Sequence, residues 1–124
     1  MQISKRLFLS GMTAILIASP AVAHHSFAMF DAVRRVTLVG TVKEFRWANP
    51  HIEIRLMVRD AAGEEVEWTV EGASPSSLAR RGWRRTSLKA GDHAEIVVHP
   101  MRNGAPVGVI VSVLVNGVAV GARP

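Results

Sequence analysis

The sequence has 124 residues, a formal net charge of +5 and no cysteine. Its length fits one small domain once any export signal has been removed. The lack of cysteine excludes a disulfide framework, a thiolate metal site and a lipid-anchored cysteine.

The first 23 residues have the features of a cleavable export signal. These features are the basic Lys5 and Arg6, the apolar run Leu7–Ala18, and the small residues Ala21 and Ala23 at positions −3 and −1 of a cleavage point. We therefore predict a signal peptide over residues 1–23, export to the periplasm, and a mature chain without a transmembrane segment. Loss of the two basic residues lowers the net charge to +3. This mild charge and the predicted export argue against a nucleic-acid partner.

Residues 24–35 show neither strand alternation nor a helical pattern, and we interpret them as a leader segment that lies across the domain. From Val36 the apolar residues alternate as in β-strands. Their phase switches after Val42, which predicts a β-bulge at Lys43-Glu44. Further strands are predicted around Ile52–Arg59, Glu65–Glu71, Ala94–Val98 and Val107–Val115. Glu65, Glu67 and Glu71 alternate on one face, which favours cross-strand pairing with Arg55 and Arg59.

One short helix is predicted between the third and fourth strands. Ser74 is suited to cap it, Pro75 fits its first position, and Gly82 is suited to end it. The element order predicts an all-β domain over residues 36–116, a small five-stranded OB-like barrel with one short helix. An open five-stranded β-sandwich is the alternative. Residues 117–124 are predicted to form a C-terminal tail.

Several strings of the sequence resemble a family of short exported bacterial proteins that is known as a domain of unknown function. They are HHSFAMFD, TLVGTVKEFRWANPH, GWRRTSLKAGD and the HP of His99-Pro100. The resemblance implies export and a small β domain, and it implies no activity, substrate or catalytic residue. The sequence also has no nucleophile elbow and no glycine-rich phosphate loop, so we do not expect an enzyme.

Four histidines are the predicted metal ligands: His24, His25, His51 and His99. Cleavage after Ala23 would leave His24 with a free α-amine beside its imidazole, and cleavage after Ala21 would give Val22-Ala23-His24, which also chelates metals. His51 and His99 lie on the loops that flank the usual ligand face of an OB-fold. Both are predicted to point away from the core, because their neighbours Ile52 and Val98 point inward. Imidazole and amine nitrogens suit copper or another divalent transition metal.

A metal-independent binding module is the alternative interpretation. Trp47, Asn49 and His51 would offer an aromatic ring, an amide and an imidazole on the loop 47–51. Arg102 would contribute from the loop 101–106. The partner would then be a small ligand or another periplasmic protein.

Overall fold

The structure, a computed structural model, describes residues 27–121. Its strands are β1 (Val36–Arg46), β2 (Glu53–Arg59), β3 (Glu65–Glu71), β4 (His93–Pro100), β5 (Val107–Val115) and β6 (Val118–Ala119). One α-helix, α1 (Pro75–Ala79), lies between β3 and β4, and a 3-10 turn covers Phe27–Met29. The strands follow the order β3-β2-β1-β4-β5-β6. A parallel pairing of β3 with β5 closes the first five strands into a barrel. The predicted OB-like barrel is confirmed, and the open sandwich is not observed.

The first strand bends as its sequence predicts. Its register against β2 shifts between Val42 and Glu44, so the extra residue is Lys43 and the predicted bulge is confirmed. Gly40 allows β1 and β2 to approach closely, since a Cβ at this position would overlap the carbonyl oxygen of Met57.

The core lies inside the barrel and under the helix. The most deeply buried side chains come from alternate positions of the strands, as period-two patterning requires: Val42, Ile52, Ile54, Leu56, Val70, Ile96 and Val98. Leu78 and Trp83 join this core and pack the helical segment against the sheet. Burial of apolar side chains is therefore the main source of stability in this cysteine-free domain.

The helix begins where the sequence predicts and ends earlier. Ser74 is the N-cap, and its Oγ accepts a hydrogen bond of 3.3 Å from the Ser77 amide. The helix stops at Ala79, three residues before Gly82. Two turns follow, in which the Arg81 and Gly82 amides donate to the carbonyls of Leu78 and Ala79. Gly82 has a φ of +87°, which glycine adopts readily. This sharp turn brings Trp83 back onto the core, where its amide donates to the Leu78 carbonyl.

Both ends of the described chain are tied to the barrel. The buried Phe30 forms a β-bridge with Met101. The Asp31 amide donates to the Pro100 carbonyl at 2.8 Å. At the other end, the structure has the strand β6 where the sequence predicts only a tail, because the Asn116-Gly117 turn, with φ values of 49° and 82°, folds the chain back onto β5.

Candidate functional site

A cavity of about 970 Å³ lies where the barrel wall is incomplete. On the edge away from β4, β5 pairs with β3 only at residues 107–109 and with β6 only at residues 114–115. Residues 110–113 therefore have no strand partner on that edge in the described part of the chain. The segment after β3, the helix α1 and Trp83 line the opposite side. We call this space the β5 cavity.

Mostly apolar side chains line the β5 cavity, and a few polar groups interrupt them. The apolar residues include Phe27, Phe30, Leu78, Trp83, Val109, Ile110, Val111, Val113, Leu114 and Val120. The polar residues are His51, Glu71, Ser74, Arg81 and Ser112. A largely apolar space of several hundred Å³ with a few polar groups is the usual composition of a small-molecule site.

His51 is the most informative of the polar residues. It immediately precedes the buried Ile52, whose amide donates to the Ala73 carbonyl at 3.1 Å at the end of the barrel. The His51 Nδ1 is buried and has no hydrogen-bond partner in the part of the chain that the structure describes. The alternation predicts that His51 points away from the core, and His51 lines the β5 cavity together with Gly72 and Ala73, which follow β3. An unpaired buried nitrogen costs free energy, so such atoms often mark a functional site.

Glu71 and Arg81 are further cavity residues whose charges are unpaired within residues 27–121. Glu71 lies directly opposite Glu53 in the β2–β3 register. Glu53 forms ion pairs with Arg46 at 3.0 Å and with Arg55 at 3.4 Å, but no cation lies within ion-pair distance of Glu71. Its predicted pairing with an arginine is therefore wrong, although Glu67 and Glu65 do pair with Arg55 and Arg59.

His99 lies outside the β5 cavity. Its Nδ1 is 2.8 Å from the carbonyl oxygen of Arg34, so the leader holds the ring in place. A carbonyl can only accept, which means that Nδ1 carries the proton and Nε2 keeps its lone pair. The structure therefore places His51 and His99 in different surroundings, and His99 stays a predicted ligand through Nε2.

The residues of the predicted loop site are also spread out. Trp47 is half-buried, packs against the core and meets Phe45 edge-on, with 5.9 Å between the ring centroids. Asn49 is exposed. The Arg102 Nε donates to the Ala28 carbonyl at 3.2 Å, and its amide donates to Met29. Trp47, Asn49 and Arg102 do not line the β5 cavity.

The remaining predicted ligands, His24 and His25, lie outside the described residues. Phe27, the first described residue, lines the β5 cavity and is 81% exposed. Within residues 27–121, no group of three or more histidine, aspartate or glutamate side chains is placed to hold a metal ion.

Three carboxyl groups outside the β5 cavity have lowered pKa values. The Lys89 ammonium and amide hold the pKa of Asp92 below its usual value, and Lys43 does the same for Glu67. The amides of Arg34 and Val33 lower the pKa of Asp31. Asp92 anchors the turn before β4, and its Oδ1 lies 2.7 Å from the Lys89 Nζ. These groups stabilise turns and strands and do not belong to the candidate site.

No helix among residues 27–121 is long and apolar enough to cross a membrane. The sequence matches none of the curated proteins.

Two solved structures resemble this fold. The first is the mitochondrial single-stranded DNA binding protein Rim1 of S. cerevisiae, with a TM-score of 0.51 and 8% identity over 66% of this chain and 92% of that chain. The second is the protein PriB from Ralstonia solanacearum, with a TM-score of 0.42 and 24% identity over 68% of this chain and 99% of that chain. At these identities the likeness to Rim1 concerns the fold alone. A family model covers residues 13–111, most of the sequence, and the chain therefore belongs to the family of unknown function DUF6152.

Proposed function

We propose that this protein is an exported periplasmic binding module that holds copper or another divalent transition metal. The signal-like residues 1–23 support export. The observation that carries the metal proposal is that His51 lines the β5 cavity and that its buried Nδ1 has no hydrogen-bond partner among residues 27–121. A neutral imidazole nitrogen with a free lone pair is a good ligand for such a metal.

The position of Phe27 supports a contribution from the N-terminal histidines. Only Ser26 separates His25 from Phe27, which lines the β5 cavity. A chain rises by at most about 3.6 Å per residue, so the Cα of His25 lies within about 7 Å of the Cα of Phe27. Cleavage after Ala23 would add the α-amine and imidazole of His24 one residue further along. The N-terminal nitrogens are thus within chain reach of the cavity that contains His51.

His99 is a candidate for a ligand through its second ring nitrogen. Metal-binding histidines usually donate the other ring N–H to a carbonyl or carboxylate, as His99 does to the Arg34 carbonyl. Because His99 does not line the β5 cavity, its contribution requires a separate test from that of His51.

Calorimetric titration of the mature chain with Cu(II) and with Zn(II) tests the proposal. Intact mass first establishes whether the exported chain begins at His24. We expect one metal ion per chain at micromolar Kd or tighter, with affinity falling roughly tenfold or more in His51→Ala and also when one alanine precedes His24. His93→Ala is the matched control, because His93 is exposed on β4 and is not a proposed ligand.

The outcomes separate the parts of the proposal. No stoichiometric binding of either metal would refute it. Unchanged metal affinity in His51→Ala would show that the β5 cavity does not contribute to the metal site, even if the N-terminus binds metal. Unchanged affinity in His99→Ala would remove His99 alone.

Single-stranded DNA binding, which the name of the yeast protein Rim1 suggests, has less support in this chain. Proteins that bind single strands offer exposed aromatic rings and an unpaired basic groove. Here the arginines of β1 and β2 lie beside glutamates, as in the contacts of Arg46 with Glu53 and Arg59 with Glu65. Trp47 packs against the core. Binding of a labelled poly-dT strand that weakens steeply with salt would favour this alternative.

A further inference from the structure

We infer that the β5 cavity binds an amphipathic organic anion, with its apolar body along β5 and Trp83 and its acidic head group at Arg81. This inference does not rest on the proposed metal site, which uses the His51 side of the same cavity. It assigns a binding site to the gap in the barrel wall, where Pro50 and His51 of the loop 47–51 are also lining residues.

The size and lining of the cavity indicate an organic ligand. The cavity has a volume of about 970 Å³ and is partly open to solvent, so a ligand can enter it. It lies within the usual range of small-molecule pockets. Ile110 and Val113 line one side, and Leu78 and Trp83 line the other. An alkyl or aromatic body placed between them would remove apolar surface from water on both sides.

The charge at the cavity favours an acidic head group. Arg81 lines the cavity and is exposed, and no ion pair among the described residues includes it. Arg84 and Arg85 follow three and four positions later, and both are exposed, so the turn after α1 is strongly basic. An arginine presents a fork of N–H donors that matches a carboxylate. Glu71, the one acidic residue among residues 27–121 that lines the cavity, ends β3 on the His51 side and favours a head group at the Arg81 end.

Three probes of equal chain length test the chemical class of the ligand. Decanoate, decanol and decylammonium are titrated into residues 24–124 by calorimetry, below their micelle concentrations and with a chelator that removes metal. We expect decanoate to bind most tightly, with a Kd below about 100 µM, followed by decanol and then decylammonium. If no probe binds below millimolar concentration, the inference is overturned, whatever the metal titration shows. If decylammonium binds most tightly, the anionic class is wrong.

Substitutions then locate the head group and the body. Arg81→Gln should weaken decanoate binding roughly five- to tenfold and leave decanol within about twofold. Arg84→Gln is the matched control, because Arg84 belongs to the same turn but does not line the cavity. Equal losses in both variants would show only a general effect of charge and would overturn the assignment of Arg81.

A blocking substitution tests whether the cavity itself is the site. Val111 is a partly exposed cavity residue of β5, so Val111→Trp should fill part of the cavity and abolish binding of decanoate and decanol. Val39→Trp is the control, since Val39 is exposed on β1 and lies away from the cavity. Thermal unfolding confirms that each variant is folded. Undiminished binding in a folded Val111→Trp chain would place the site elsewhere.

Discussion

Replacing His51 with phenylalanine should stabilise the metal-free protein. The side chain keeps a planar ring, and the buried nitrogen that has no partner is removed. An unsatisfied buried polar atom costs about 1–3 kcal/mol. His51 is only half-buried as a residue, so we expect a gain near the lower end, about 1 kcal/mol. For a domain of this size that gain corresponds to a rise of about 4–8 °C in Tm.

The same substitution should reverse its effect when copper is present. A metal that binds only the folded state adds about 2.7 kcal/mol at a free concentration one hundred times its Kd. The wild-type chain should gain this stabilisation, and His51→Phe should lose most of it. The two unfolding curves should therefore change order between chelator and copper.

Urea and thermal unfolding of residues 24–124, each with chelator and with Cu(II), measure both effects. His99→Phe is the control and should destabilise the metal-free chain, because it breaks the 2.8 Å contact between Nδ1 and the Arg34 carbonyl. It should cost about 1 kcal/mol without metal. If His51→Phe destabilises the metal-free chain by as much as His99→Phe, then the His51 nitrogen is not an unsatisfied group and the reasoning fails.

Two further predictions concern the barrel and its turns. Gly40→Ala should lower the free energy of unfolding by about 2–3 kcal/mol in urea titrations, because its Cβ would overlap the Met57 carbonyl. Gly63→Ala has open space around it and should lose only about 1 kcal/mol through its positive φ; equal losses would contradict the steric argument. Asp92 has a lowered pKa, so its contribution to stability is complete above the ordinary value of 3.8 and is lost as the pH falls through the folded-state pKa. Asp92→Asn should therefore show a smaller fall in Tm from pH 5 to pH 2 than the wild type. If the fall in Tm over this range is the same in both proteins, protonation of Asp92 does not contribute to acid unfolding.

Local patterns of the sequence were sufficient for most of the fold. Alternation in β2, the phase change after Val42 and the Ser74-Pro75 helix start each depend on residues close together in the chain. Their bounds match the structure to within a few residues. The strand β6 escaped prediction because two residues are too few to show an alternation, and it depends on pairing with Leu114 and Val115.

The β5 cavity could not be predicted in the same way, because it arises from pairings that are distant in sequence. Glu71 belongs to the same alternation as Glu65 and Glu67, and only the register with Glu53 shows that it faces another acid. The covering of the His51 side chain could not be predicted for a similar reason. The residue precedes β2, where the chain after β3 folds over the barrel end, so a side chain that leaves the strand core is still covered.

The gap in the barrel wall connects the fold to both proposals. The β4–β5 register shifts between Val97 and Val98, so Val111 is an extra residue of β5 in the stretch between its pairings with β3 and β6. A bulge at this point bends the strand and interrupts regular pairing. The helical segment and Trp83 line the other side of the opening but leave the β5 cavity between them and the strand. A continuous β3–β5 ladder would bury this edge, so the opening that weakens the barrel is also the feature that makes room for a ligand.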